Sequence, residues 1–237
     1  MHMYWGKGAA VLLAATTLAL PHMAMAGIVV ASSGPSASKY PAGTKLDDSA
    51  SITLRAGDSV TILDGSGTRV LRGPGAQKVG ASGMPPRTMA FNALVRPSRV
   101  RTGAVRGSGS TARNTNIWNV DATGNGRMCI VNPGAVSIWR PNGANASSYS
   151  VSALDGSGDS SVSFNSNAYV GTWRPAGAAI ANGSTYRISG QGMSRDVTFV
   201  VLAEQPQTPE ELASALIANK CTAQLQMLTD TMALPSS

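Results

Sequence analysis

From Ala50 onward, apolar and polar positions alternate with a period of two: Ile52 and Leu54, then Val60, Ile62 and Leu63, then Val70. That period marks strands with one face buried. Ala56-Gly57-Asp58, Asp64-Gly65-Ser66-Gly67 and Gly73-Pro74-Gly75 supply turns between and after them. The pattern therefore predicts a small three-stranded antiparallel meander within residues 27–75. The apolar run Ile28-Val29-Val30-Ala31 can add one more strand ahead of it.

Short alternating runs resume at Thr115 and continue through Val136 and Ile138, Tyr149 and Val151, and Val162 and Phe164 to Val197 and Phe199. Gly, Asn, Pro or Ser clusters interrupt them every 8 to 15 residues, the spacing of an antiparallel β-sandwich over residues 115–205. Trp139-Arg140-Pro141 recurs as Trp173-Arg174-Pro175, and each copy is followed by a tyrosine strand, Tyr149-Ser150-Val151-Ser152 or Tyr186-Arg187-Ile188-Ser189. Proline cannot donate to a continuing ladder, so each Trp-Arg-Pro reads as a strand end, and the two copies as hairpins of one design.

Past residue 205 the period changes. Thr208-Pro209-Glu210-Glu211 offers a hydroxyl cap, a proline where a missing N–H is harmless, and a glutamate placed for a capping box. Leu212, Ala215 and Leu216, then Leu225, Leu228 and Met232, make two helical stripes broken at Asn219-Lys220. Residues 206–237 thus read as a short helical tail, and the fold class as mainly β with that tail.

At the other end, Lys7 precedes the uncharged 13-residue run Gly8–Leu20, followed by Pro21 and Ala24-Met25-Ala26. This is the layout of a secretory signal peptide, residues 1–26, cleaved after Ala26. The run is shorter than the ~20 apolar residues of a membrane-spanning helix, so no transmembrane segment is expected in the mature chain. Export to the periplasm or beyond makes a disulfide the expected state of the only cysteines, Cys129 and Cys221. Closing a loop of that length stabilises a fold by roughly 4 to 5 kcal/mol in the chain-entropy model.

Cleavage also removes His2 and His22, leaving no imidazole base or histidine metal ligand. The remaining candidates for chemistry are weak. Ser36-Ala37-Ser38-Lys39 has the Ser-x-x-Lys spacing of acyl-transfer enzymes without their accompanying elements. Asp155, Ser157 and Asp159 resemble half a calcium loop, but Ser166 stands where its final glutamate belongs, and a hairpin turn explains them. Asp47, Asp48 and Asp121 are carboxylates without an assigned role, the material of a small carboxylate-dependent hydrolase. No catalytic, cofactor-binding or metal-binding residue is nominated, and no cofactor is implied.

Charge changes the picture only locally. Between Asp64 and Asp121 there are nine Lys or Arg and no acid, whereas the net charge of the whole chain is +7. Residues 76–114 read as a basic Gly/Pro/Arg-rich linker. Arg87, Arg96, Arg99, Arg101, Arg106 and Arg113 within it are the candidate anion-binding residues. Export and sparse aromatics argue against nucleic acid and leave an anionic glycan or lipid surface as the partner of that stretch.

Ser51-Ile52-Thr53-Leu54-Arg55-Ala56-Gly57-Asp58-Ser59-Val60-Thr61-Ile62-Leu63-Asp64-Gly65 resembles the Gly-Asp-centred strands of FecR-type periplasmic sensor domains. The meander, the Trp-Arg-Pro block and the cysteine-containing tail together are similar to secreted bacterial proteins without an assigned activity. These resemblances imply a periplasmic setting and transfer no ligand site. The expectation is an exported, non-catalytic interaction or structural module whose partner is another envelope protein.

Overall fold

A computed structural model describes residues 25–80, 83–96 and 112–233. Most of the expected signal peptide and the arginines at 99, 101 and 106 lie outside the described residues.

The N-terminal half contains strands β1 (Met25–Ser33), β2 (Lys45–Asp47), β3 (Ser51–Leu54), β4 (Ser59–Asp64), β5 (Gly67–Arg72) and β6 (Gly75–Lys78), then helix α1 (Thr88–Val95). The alternation places Ile52, Leu54, Val60 and Ile62 inward as expected. The strand order differs from a simple meander. β4 pairs antiparallel with β5 and, on its other side, with β1, giving the sheet β2-β1-β4-β5. β3 pairs with β6 instead of β4. The reason is that a period of two specifies which face is buried, not which strand lies alongside. Val70, expected inward, lies opposite Thr61 and is 44% exposed.

Asp58 holds the turn between β3 and β4. Its carboxylate accepts from the Ser36 amide at 2.8 Å and the Arg55 amide at 2.5 Å. Burial pushes this carboxyl up, but hydrogen bonds from Ser36 and Arg55, with the Arg55 charge, outweigh that and hold it below the ordinary 3.8. The Ser36 backbone is thereby tied to this turn.

The C-terminal half runs β7 (Val120–Asp121), β8 (Gly126–Ile130), β9 (Val136–Trp139), β10 (Ser147–Ala153), β11 (Asp159–Phe164), β12 (Val170–Trp173), β13 (Thr185–Gly190), β14 (Met193–Val201), α2 (Pro209–Ala218) and α3 (Thr222–Met232). A five-stranded sheet, β11-β10-β13-β14-β8, and a three-stranded sheet, β12-β9-β7, bury one shared core. Most pairs are antiparallel; β8 joins β14, and β7 joins β9, in parallel. At one side Gly171 of β12 lies against β11, where a Cβ would come within 2.8 Å of Val162.

The Trp-Arg-Pro echo is structural. β9 and β12 end at Trp139 and Trp173 and pair with each other, Val136 opposite Trp173 and Trp139 opposite Val170. The hairpins that follow match as well: Tyr149 faces Val162 and Tyr186 faces Val197. Tyr149 meets Phe164 edge-on at 5.5 Å and 68°, and Tyr186 meets Phe199 edge-on at 5.7 Å and 69°. The units β9-β10-β11 and β12-β13-β14 are therefore related by a local two-fold axis. The copies part at the arginine. Arg174 is exposed, whereas Arg140 is fully buried over the Phe164 ring and donates to the carbonyls of Ala168, Asn165 and Gly143 and to Ser147 Oγ.

The helices form a layer between the two β units. Ile28, Val30 and Leu63 from the first sheet pack with Leu212, Leu216, Leu228 and Met232 and with Cys129 and Val200 of the five-stranded sheet. α1, within the stretch read as a linker, adds Phe91, Leu94 and Val95 to this layer. The expected capping box is present, with Thr208 Oγ1 accepting from the Glu211 amide at 3.1 Å and the Glu211 carboxylate accepting back. Lys220 adopts the left-handed break, at φ 58°.

Two outcomes follow. At Gly190 a Cβ would lie 2.5 Å from the Tyr149 ring, so Gly190→Ala is expected to cost about 1 to 3 kcal/mol in urea unfolding. Because the Asp58 carboxyl sits below its unfolded value, its contribution is complete above about pH 4 and is lost as pH falls through the lower folded value. Asp58→Asn should flatten the acid limb of stability against pH, and an unchanged limb contradicts that assignment.

Candidate functional site

Cys129 and Cys221 form the expected disulfide, with Cα atoms 5.9 Å apart. Cys221 immediately precedes α3, and Gln224 lies one turn along the helix. Gln224 is buried, and its side-chain amide behaves as a neighbouring strand: Oε1 accepts from the Cys129 N–H at 2.7 Å, and Nε2 donates to the Cys129 and Ile117 carbonyls, each at 2.9 Å. One covalent bond and three hydrogen bonds thus join the first turn of α3 to the outer edge of β8 and to the segment before β7. An apolar helical stripe predicts the buried leucines but not a buried glutamine between them.

Beyond this clamp, the outer edges of the two sheets do not meet. β7 borders the three-stranded sheet and β8 the five-stranded sheet, and between them lies a cavity of about 210 Å³ with α3 on one side. Val120, Met128, Val197 and Met227 give it apolar walls, and Asn119, Asp121, Asn125 and Arg127 give it polar ones. Asn114 and Asn119 bond each other, and Asp121 accepts from the Thr123 amide and hydroxyl. Arg127 is exposed.

A shallow depression continues from Asn125 and Gly126 across Arg187, Ser194, Arg195 and Asp196. Arg187 and Asp196 form a two-pronged ion pair at 2.8 and 2.9 Å; this hydrogen bonding holds the Asp196 carboxyl below its usual value and raises the Arg187 guanidinium. Arg195 instead donates to the carbonyls of Thr123 and Ser194.

The arginines nominated from sequence separate into groups. Arg87 is half-buried at the start of α1, with its amide donating to the Gly65 carbonyl. Arg96 and Arg113 are exposed. The segment ends beside them are drawn together: Ile117 N–H donates to Leu94 O at 3.0 Å, Trp118 Nε1 to Val95 O at 2.9 Å, and the Asn116 side chain to Arg96 O. Arg113 precedes Asn114 of the cavity wall. Arginine density along the chain could not point to Arg127, which stands alone in sequence.

The other candidates resolve into turns. Ser157 donates to Asp155 at 2.9 Å in the β10–β11 turn, and its hydrogen bonds hold that carboxyl down. Asp47 accepts from Ser49. Comparison with protein-family models, curated proteins and solved structures returns no match.

Replacing Gln224 by Ala leaves the buried Cys129 N–H and two carbonyls without these bonds. The variant is expected to lose about 2 to 4 kcal/mol in unreduced protein, measured by denaturant unfolding.

Proposed function

We propose that the protein works outside the cytoplasm as a non-catalytic interaction module, with another envelope protein as its partner. The observation that carries this reading is the gap between β7 and β8. It is an open sheet edge with mixed polar and apolar walls, held beside a helix that a disulfide fixes in place. The disulfide is compatible with an oxidising compartment. Among the described residues no helix is long and apolar enough to cross a membrane. The signal-like segment and the likeness of residues 51–65 to periplasmic sensor strands support the same setting.

A second reading is binding to an anionic glycan or lipid surface through the arginine-rich stretch. It is favoured by the exposure of Arg96 and Arg113 at the two ends of a segment containing Arg99, Arg101 and Arg106. Arginine forks suit sulfate, phosphate and carboxylate alike.

A photo-crosslinking residue at Asn125, in cells expressing the full chain, is expected to give a discrete adduct with an envelope protein, whereas one at Asp155 gives none. Equal labelling from both positions counts against a partner at the gap. Mass spectrometry of the exported product should begin at Gly27. Loss of retention on anionic vesicles when Arg96, Arg99, Arg101 and Arg106 are changed to Gln, with no adduct from Asn125, would favour the second reading.

A further inference from the structure

The hydrogen-bonding side of β8 can be followed residue by residue. Leu202 N–H donates to Ile130 O, so Ile130 turns toward the β14 side, whereas Cys129 turns outward to Gln224. Backbone groups of successive strand residues point to opposite sides, so Arg127, two before Cys129, presents its N–H and C=O outward as well. Among the described residues neither group has a partner, and Arg127 lines the cavity. Gln224 thus occupies one rung of the outer ladder, and the rung beside it is vacant. A vacant rung beside a walled groove is the arrangement that strand addition uses: main-chain bonds supply affinity, and alternate side chains supply specificity.

We propose that one extended, acidic segment of a partner protein docks in this groove by adding to β8 at Arg127. The proposal rests on the reading of the gap as a contact face and names what enters it. Charge selects the acidic segment. Arg127 has no carboxylate partner among the described residues, and Arg195, across the neighbouring depression, bonds only carbonyls. Arg113 precedes the wall residue Asn114 and adds a third exposed positive group to the region. Of the two nearby carboxylates, Asp196 is neutralised by Arg187, whereas Asp121 accepts only from the neutral amide and hydroxyl of Thr123 and keeps its charge, so the three exposed arginines still leave the region net positive. Side chains alternate along an added strand, so every second one can enter the apolar part of the cavity against Val120, Met128 and Met227 while the others meet the arginines.

The test uses the full mature chain with its disulfide intact and three probes: a blocked hexapeptide alternating glutamate with valine, its glutamine counterpart, and a sulfated oligosaccharide of equal charge. The acidic peptide is expected to bind and to slow hydrogen exchange at the Arg127 amide by about tenfold or more, leaving the Cys129 amide, already held by Gln224, unchanged. Arg127→Ala should weaken binding, and Arg127→Glu should weaken it by a further factor of about ten. Since Arg127 is exposed, neither change removes core packing, and exchange in wild-type protein reports independently of both. The proposal is overturned if the acidic peptide fails to bind at millimolar concentration, if it binds without protecting Arg127, or if the glutamine peptide or the oligosaccharide gives the same protection. An adduct from Asn125 that persists despite such a failure leaves the contact face standing and removes only strand addition; loss of both removes both.

Discussion

The bond network between β8 and the first turn of α3 is the constraint on which the rest of the architecture depends. β8 is an outer strand, and the polar groups on its free side need partners wherever water is excluded. Gln224 supplies them with one side-chain amide, while Cys221, one turn earlier, ties the same helix face to the same strand residue, Cys129. Helix α3 cannot then rotate or slide without breaking several bonds together. Because Leu228 and Met232 of that helix share a core with Ile28, Val30 and Leu63, fixing α3 on β8 also fixes the N-terminal sheet relative to the sandwich.

The clamp explains why the edge is closed at one point and open at another. The doubled unit β9-β10-β11 and β12-β13-β14 builds most of the sandwich by itself, with each tyrosine and phenylalanine occupying equivalent places. β7 and β8 are additions in parallel at the ends of the two sheets, outside the local symmetry. Nothing in the repeated unit brings them together, so the gap between them is covered only as far as α3 reaches. Gln224 covers Cys129, and at Arg127 the cover stops. The cavity is thus a consequence of how the sheets are completed, and its polar lining combines residues held in the fold, Asn119 and Asp121, with the exposed Asn125 and Arg127.

Much of this was legible from sequence where a local rule decides the outcome. Ile52, Leu54, Val60 and Ile62 are inward because a strand alternates, α2 begins at Thr208 because its capping box satisfies the first amides, and Lys220 takes the left-handed break between two helical stripes. The Cys129–Cys221 bond followed from there being only one possible pair. Partnership across the chain was not legible. The pairing of β3 with β6, the parallel placement of β8 beside β14, and the position of the tail helices between two β units depend on contacts between distant segments. Gln224 is hidden for a related reason: a polar residue on a helix reads as solvated until the carbonyls it serves are located. For the candidate site, the arginine-rich stretch drew attention through its density, whereas Arg127 matters through the strand edge on which it stands.

If the disulfide and Gln224 act as one clamp, their contributions must be coupled, and a double-mutant cycle measures that coupling directly. Unfolding free energies of the wild type, Gln224→Ala, the Cys129→Ala/Cys221→Ala pair and the triple variant provide it. An interaction energy of about 1 kcal/mol or more is expected, because once either element is lost the helix can leave the edge and the other holds less. Strictly additive losses would contradict it, and would mean that staple and amide stabilise separate parts of the molecule.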